Sequence, residues 1–131
     1  MINLCPCGSC LAYSDCCDPI ISGRKEAITA QKLMRSRYTA FTQANVDYLI
    51  RSHSAKTRTI KERSGIEKWA KSVCWMGLTI LQTQAGEVGD ETGYVEFKAL
   101  YMENGKPQQI HEKSLFQRES GKWVYISGVH F

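Results

Sequence analysis

The spacing of apolar residues along the chain changes near Val73. Before that point they recur every three or four positions, which predicts amphipathic helices, and after it they alternate, which predicts β-strands. The predicted helices are Thr29 (as N-cap) to Phe41, Asn45 to His53, and Thr57 to Ser72. In the third segment Ile60 contributes to the apolar face, and Ser64-Gly65 is expected to break or bend the helix.

Four strand-like segments follow, separated by glycine-containing polar turns. They are Cys74–Gln84, Tyr94–Met102, Gln108–Arg118 and Trp123–Phe131. Asn104-Gly105 and Ser120-Gly121 have the composition of tight hairpin turns. The sequence therefore predicts an α+β fold, about three helices packed on a curved, mostly antiparallel sheet. A curved sheet wrapped around the helices has the shape of a cone, and a cone of this kind could enclose a cavity.

The N-terminal residues 1–25, called the knuckle below, contain too few apolar residues for a core of their own. Five of the six cysteines fall within the first 17 residues, and Cys74 stands alone downstream. A secreted disulfide scaffold would spread its cysteines, and Cys5 and Cys7 are too close to form an ordinary bridge. Clustered thiols of this kind indicate a metal site, whereas Cys74 is expected to be a small buried hydrophobe.

A tetrahedral metal site needs two thiolate pairs, each presented by a tight turn. Cys5-Pro6-Cys7 offers one pair and Cys16-Cys17 offers the other. Zinc with four thiolates carries a formal charge of about −2, so backbone N–H groups and nearby cations must offset it. Cys10 is a fifth candidate, because Cys7-x-x-Cys10 is itself a zinc spacing; we expect it to be a bystander thiol.

Composition and charge add little to this prediction. No apolar stretch approaches the about 20 residues of a membrane span, and the N-terminus does not resemble a secretory signal. We therefore expect a soluble, cytoplasmic protein. The net charge of +4 does not by itself indicate nucleic-acid binding, and the basic segment Arg51–Ser72 is interpreted as a solvated helix face, with polyanion binding as the weaker alternative.

The pattern Cys5-x-Cys7-(x)8-Cys16-Cys17, with Gly8-Ser9 and Tyr13 between, resembles the SEC-C motif found at the end of the translocase ATPase SecA. That resemblance implies zinc bound by the four matching cysteines, and some members of the motif class are thought to take iron. SEC-C loops carry lysines, whereas the loop Leu11–Asp15 has no cation, which weakens any inference of nucleic-acid or ribosome binding.

The resemblance extends along the chain to the YchJ family, which joins a SEC-C motif to a nuclear transport factor 2-like (NTF2-like) cone. It rests on the segments Leu33–Phe41, Asp47–Ile50, His111–Phe116 and Gly121–Gly128. The resemblance implies a zinc motif over residues 1–25 and an NTF2-like domain over residues 26–131. Longer members end with a second SEC-C motif, so a chain that stops at Phe131 is expected to be a short or truncated member.

NTF2-like cones serve enzymes as well as binding modules, so polar residues that converge inside the cone matter most. Strand alternation places Glu112 and Ser114 on the same face as Ile110 and Phe116, and we expect that face to point inward. The candidate pocket residues are Arg35, Tyr38, His53, Glu112, Ser114, Trp123 and Tyr125. Glu112 has two interpretations: an ion pair with Arg35 or Arg37 that fixes helix to sheet, or a carboxylate with a raised pKa in a pocket.

Two functions follow from these features. The favoured one is a metal-stabilised cytoplasmic binding or adaptor module whose knuckle contacts a protein partner. The alternative is a small-molecule-binding or enzymatic cone that uses Glu112 with Tyr125, Arg35 or His53. No serine–histidine–aspartate order or phosphate-binding glycine loop is present, so no catalytic residue is assigned. A filled apolar core with an exposed patch near the knuckle would favour the first function, and an enclosed polar cavity containing Glu112 would favour the second.

Overall fold

The computed structural model of the protein describes residues 3–58 and 62–131. The predicted helix position Ile60 and the basic residue Lys61 lie outside these ranges. The helices are α1 (Cys17–Ile21), α2 (Ala30–Thr42), α3 (Val46–Arg51) and α4 (Arg63–Ser72), and a short 3-10 turn covers Tyr13–Asp15. In the described part of the chain, none of the helices is both long and apolar enough to cross a membrane.

The four strands form one antiparallel sheet in chain order. They are β1 (Cys74–Ala85), β2 (Thr92–Glu103), β3 (Lys106–Glu119) and β4 (Lys122–His130). The β2–β3 turn places Asn104 at φ 54° and Gly105 at φ 76°, and the β3–β4 turn places Ser120 at φ 54° and Gly121 at φ 81°. Positive φ at both central residues belongs to the two-residue hairpin turn that fits strand twist. Both predicted hairpins are therefore confirmed.

Irregular register bends the sheet at three places. Pairing shifts between Trp75 and Gly77 and between Ile80 and Gln82 in β1. In β4 the pairing passes from Tyr125, opposite Phe116, to Ser127, opposite Leu115, so Ile126 is an extra residue. An extra residue bends its strand and exchanges the faces of the residues beyond it. These bulges curve the sheet around α2.

The caps of α2 and α3 agree with the sequence prediction, but the start of α4, the third predicted helix, does not. The Thr29 hydroxyl accepts a hydrogen bond from the Lys32 amide, and the Asn45 side chain accepts one from the Tyr48 amide. The helix predicted from Thr57 begins only at Arg63, and Ser64-Gly65 lies in its first turn instead of breaking it. Gly65 is tolerated there because glycine costs a helix most in its interior and less in the first turn.

One core joins the helices, the sheet and the knuckle. Leu33, Tyr38, Val95, Phe97 and Phe116 are buried between α2 and the sheet. The same cluster of buried residues includes Cys5, Cys7, Cys17 and Ile21. The knuckle is therefore packed against the cone.

Cys74 corrects one expectation. It is exposed, although the sequence suggested a buried residue. Its neighbour Trp75 turns inward and packs edge-to-face against Tyr38 with ring centroids 5.8 Å apart. Because consecutive strand residues point to opposite faces, the inward tryptophan leaves Cys74 on the outer face.

Candidate metal centre and cavity

The N-terminal turn of the knuckle brings its first two cysteines together. Antiparallel pairing closes it: the Cys5 amide donates to the Leu11 carbonyl at 2.8 Å and the Tyr13 amide donates to the Asn3 carbonyl at 2.8 Å. Gly8 sits at φ 82°, a backbone conformation that favours glycine. The second pair, Cys16 and Cys17, is delivered by the 3-10 turn and the start of α1.

Four sulfur atoms meet where these segments converge. The Sγ atoms of Cys5, Cys7, Cys16 and Cys17 all lie within 4.8 Å of one another. Cys7 Sγ is 3.6 Å from Cys16 Sγ, and Cys16 Sγ is 4.0 Å from Cys17 Sγ. A tetrahedral zinc site with Zn–S bonds of about 2.3 Å separates its sulfurs by about 3.8 Å. The donor set and its spacing therefore fit a tetrahedral thiolate-bound metal.

Cys10 lies outside this group. Its side chain is exposed, its backbone has a φ of 68°, and its thiol lies 4.0 Å from the Gly8 carbonyl. The four sulfurs that meet are those of the SEC-C pattern, and Cys10 is not among them. This placement supports the expectation that Cys10 is a bystander.

Hydrogen-bond donors surround the sulfur atoms. The Ser9 hydroxyl lies 3.1 Å from Cys16 Sγ, and the Thr39 hydroxyl donates to Cys17 Sγ at 3.3 Å. The Arg35 guanidinium donates to the Cys7 carbonyl at 2.7 Å, and the same nitrogen lies 3.9 Å from Cys7 Sγ. Arg35 therefore supplies the cation that the SEC-C loop itself lacks, and it partly offsets the negative charge of a thiolate–metal centre.

The thiols also influence one another's protonation. A hydrogen bond with Cys17, followed by those with Ser9, holds the pKa of Cys7 down at about 4 against the opposing effect of burial. The same interaction with Cys7, together with burial, raises the pKa of Cys17. Burial is the main cause of the raised pKa of Cys16. The cluster thus holds one thiolate easily, and further deprotonation needs a cation among the sulfurs.

Helix α2 separates the thiol cluster from a cavity inside the cone. Its positions 35 and 39 face the knuckle, where Arg35 and Thr39 contact the thiol cluster, and the side-chain amide of Gln43, directly after the helix, donates to the Tyr13 hydroxyl at 2.8 Å. Positions Met34, Arg37, Tyr38 and Phe41 line the cavity. Residues three and four apart share a helix face, so one helix carries both sites.

The cavity has a volume of about 300 Å³ and is partly open to solvent. Its apolar walls include Tyr38, Phe41, Ile66, Trp69, Trp75 and Phe97. Arg37, His53, Glu112, Tyr125 and His130 form its polar end. The volume lies at the lower end of the about 300–1,000 Å³ range of small-molecule pockets, and apolar walls with a few convergent polar groups are typical of them.

Glu112 is the buried carboxylate at the polar end, with 8% of its surface exposed. Its Oε2 accepts hydrogen bonds from the Ser114 hydroxyl and, at 3.3 Å, from the Tyr125 hydroxyl. Its Oε1 lies 3.1 Å from His130 Nε2. Gly128 makes room for the carboxylate, because a Cβ at that position would lie 2.1 Å from Glu112 Oε2.

The ion pair expected between Glu112 and Arg35 or Arg37 is not formed. Arg35 points to the knuckle, and Arg37 donates to the Leu49 carbonyl at 2.9 Å and to the Ser52 hydroxyl at 2.7 Å. The reason is local: the end of α3 presents acceptors that take the guanidinium of Arg37. Burial lowers the pKa of Arg37 to about 10, so the group stays charged at neutral pH.

His53 and Tyr125 pack together beside Glu112. Their rings meet edge-to-face with centroids 4.9 Å apart, and the Arg37 guanidinium lies 4.7 Å from the centroid of the Tyr125 ring. Burial, reinforced by Arg37 and Arg58, lowers the pKa of His53 to about 4, which leaves it neutral at pH 7. Burial, with the neighbouring Glu112 carboxylate, raises the pKa of Tyr125 to about 12, so its hydroxyl remains a donor.

The structure brings some of the predicted pocket residues together and separates others. Tyr38, His53, Glu112 and Tyr125 line the cavity, and Ser114 supports Glu112 from behind. Arg35 belongs to the thiol cluster. Trp123 lies in another part of the core, where its indole N–H donates to the Ile28 carbonyl at 3.3 Å and Arg118 covers its ring.

Sequence reasoning missed His130 as a neighbour of Glu112. The register set by the Ser120-Gly121 turn would place Val129 opposite Glu112, but the extra residue Ile126 brings His130 there instead. The residue types of β4 do not predict that bulge. The apolar residues Trp69 and Trp75, on either side of the helix–strand boundary, could have been predicted as core residues. Their edge-to-face contact in the cavity wall depends on tertiary packing.

Comparison with known proteins agrees with this architecture. A family described as "YchJ, middle NTF2-like domain" matches residues 29–128. The UPF0225 protein YchJ of Shigella dysenteriae is 40% identical over 129 residues, which cover 98% of this chain and 84% of that protein. A UPF0225 protein of Geobacter sulfurreducens is 39% identical over 128 residues, covering 98% of this chain and 80% of that protein.

The similarity includes the knuckle. The solution structure of a SEC-C motif containing protein from Rhodopseudomonas palustris matches with a TM-score of 0.88 at 29% identity, and the match covers 98% of each chain. The predicted family, the NTF2-like fold and the N-terminal cysteine cluster are thereby confirmed. The chain belongs to the YchJ (UPF0225) family.

Proposed function

We propose that this protein is a cytoplasmic binding module stabilised by one structural zinc ion. Cys5, Cys7, Cys16 and Cys17 hold the metal, and the observation that carries the proposal is the convergence of their sulfurs within 4.8 Å. Four thiolates leave no coordination position for water or substrate, which is the arrangement of structural and not catalytic zinc. Iron is the alternative metal for the same four sulfurs, and reduced thiols suit a reducing compartment.

Arg35 provides a test of this site that leaves the thiolates intact. The Arg35→Gln variant keeps a hydrogen-bond donor but removes the charge that lies 3.9 Å from Cys7 Sγ. We expect its zinc affinity, measured by competition with a chromophoric chelator, to fall by about 10- to 100-fold, as for other groups that support metal ligands. Lys32→Gln is the matched control, because Lys32 is an exposed cation on the same helix. Equal affinities in the two variants would contradict a role for Arg35.

The knuckle also presents an apolar surface for a protein partner. Leu4 is 55% exposed and Leu11 is 51% exposed, and they lie on the two paired segments that close the first cysteine turn. The metal would fix this small surface in one shape, which lowers the entropy cost of binding. The proposed contact is therefore made through the exposed leucines of a metal-bound turn.

Affinity purification from the native host with quantitative mass spectrometry tests the partner. We expect the Leu11→Ser variant to retain the fold but to reduce recovery of the partner at least about tenfold, because burying a leucine contributes about 1.5–3 kcal/mol. Leu81→Ser is the control, since Leu81 is an exposed leucine on β1. A set of bound proteins that does not change in Leu11→Ser would contradict this surface.

A second candidate function is small-molecule binding in the cone. The observation that favours it is the cavity of about 300 Å³ that contains the buried carboxylate of Glu112. Of the residues suggested to act with Glu112, Tyr125 hydrogen-bonds to it and His53 packs against Tyr125, whereas Arg35 faces the knuckle. A buried carboxylate kept beside an open volume is a group available to a ligand.

A further inference from the structure

The polar end of the cavity offers the Glu112 carboxylate as a charged hydrogen-bond acceptor. Glu112 Oε2 is occupied by the hydroxyls of Ser114 and Tyr125. Glu112 Oε1 has the His130 ring at 3.1 Å, and the His130 side chain is 69% exposed. A pairing with so exposed a side chain contributes little and is easily displaced. A donor inside the cavity can therefore replace His130 on Oε1.

The charges at this end determine the charge of the ligand. Glu112 supplies one negative charge, and Arg37 supplies one positive charge next to Tyr125. His53, which contacts the same tyrosine, is partly buried, and its lowered pKa leaves it neutral at pH 7. The charges of the Glu112 carboxylate and the Arg37 guanidinium thus balance, and a charged ligand would bring a further charge into a largely apolar site. The site fits a neutral molecule.

The walls determine the shape of the ligand. Trp69 and Trp75 meet at 89° with ring centroids 5.3 Å apart, and Phe41 lies 5.8 Å from Trp75 and 6.3 Å from Trp69. The two perpendicular pairs of Trp69 and the tilted Phe41–Trp75 pair present ring faces and edges to a further flat ring. The volume of about 300 Å³ suits a molecule of one or two fused rings.

We propose that the cone binds a neutral, flat, largely apolar ring compound that donates one hydrogen bond, from a ring N–H or a hydroxyl, to Glu112 Oε1. This proposal rests on the second candidate function, small-molecule binding in the cone. It adds the ligand's chemical class: uncharged, planar, and bearing a donor at the edge that points toward Glu112.

Indole and benzofuran are a matched pair of probes for this class. They have the same size and shape, and they differ in that indole has a ring N–H where benzofuran has an oxygen. Titration of the metal-loaded protein, followed by two-dimensional NMR of the Trp69 and Trp75 indole N–H signals, measures binding at the cavity. We expect indole to bind about tenfold or more tightly than benzofuran, because hydrogen bonds to charged groups are the strong ones.

Three variants separate the cavity from the donor requirement. Glu112→Gln should reduce the preference for indole severalfold, whereas Glu96→Gln should not, because Glu96 contacts His111 on the other face of the sheet. Ala99→Leu should abolish binding of both probes, because Ala99 lines the cavity and the larger side chain fills it. The dispersion of the NMR spectrum reports whether each variant is folded.

The outcomes distinguish the ligand class from the cavity function. Equal binding of the two probes, lost in Ala99→Leu, would overturn the donor requirement and leave small-molecule binding in the cone standing. Shifts that persist in Ala99→Leu, or no shift with either probe, would overturn both. A tenfold preference for indole that Glu112→Gln does not change would overturn Glu112 as the acceptor.

Discussion

Replacing any one of Cys5, Cys7, Cys16 or Cys17 by serine is expected to abolish stoichiometric metal binding, while Cys10→Ser and Cys74→Ser leave about one metal ion per chain. The reason is geometric as well as chemical. The four sulfurs lie within 4.8 Å of one another, and a serine hydroxyl does not ionise at neutral pH to replace a thiolate. Elemental analysis of protein purified under reducing conditions measures the metal and distinguishes zinc from iron.

Thiol alkylation provides an independent readout of the same prediction. Cys10 and Cys74 are exposed, so the metal-loaded protein should react at these two positions only. Removal of the metal should then make the clustered cysteines reactive, because their thiolates are no longer coordinated. If Cys10→Ser loses the metal and one of the four cluster variants retains it, the assignment of ligands is wrong.

Withdrawal of the metal with a chelator is expected to increase amide exchange over residues 3–25 by at least about 100-fold, while the paired interior of β2 and β3 stays protected. A structural thiolate zinc site contributes on the order of 10 kcal/mol, and each 1.4 kcal/mol is about tenfold in an equilibrium constant. The sheet has its own buried residues, Val95, Phe97 and Phe116, which do not depend on the metal. Hydrogen exchange with mass spectrometry measures both regions at once.

On metal removal, the amide exchange of helix α2 should increase less than that of residues 3–25 and more than that of β2 and β3. Arg35 and Thr39 lose their contacts with the thiolates, so the amides on that face of the helix should exchange faster than those near Leu33, which packs toward the core. Adding zinc back should restore the original pattern. Simultaneous loss of protection in β2 and β3 would contradict this prediction and would show that the sheet depends on the metal-bound knuckle for its stability.

Several features of this protein follow from short stretches of sequence. The cysteine pairs are delivered by local turns, because Pro6 restricts the backbone and Gly8 adopts the positive φ that the first turn needs, while Cys16 and Cys17 are adjacent in the chain. The hairpins at Asn104-Gly105 and Ser120-Gly121 are local for the same reason. The change of apolar period near Val73 separated the helices from the sheet correctly. In each case the relevant interactions span few positions, so residue type and spacing suffice.

The partners of Glu112 could not be read from the sequence. A continuous alternation in β4 would place Val129 on the inner face, but the extra residue Ile126 exchanges the faces and brings Gly128 and His130 to Glu112. Likewise, Arg37 pairs with a carbonyl and a hydroxyl at the end of α3 and not with the Glu112 carboxylate. Long charged side chains reach many positions, and packing selects among them.

The sequence by itself therefore determined the order of α2 to α4 and of the strands and the family, and its resemblance to the SEC-C motif predicted the four cysteines whose sulfurs meet. Only the tertiary structure decided that α2 connects the two sites, with Arg35 and Thr39 directed to the sulfurs and Arg37 and Tyr38 directed to the cavity. The physical reason is that a local motif sets its own backbone, whereas the charge that offsets the thiolates and the donors that satisfy a buried carboxylate come from residues far apart in the chain, positioned by helix packing and by one bulge in β4.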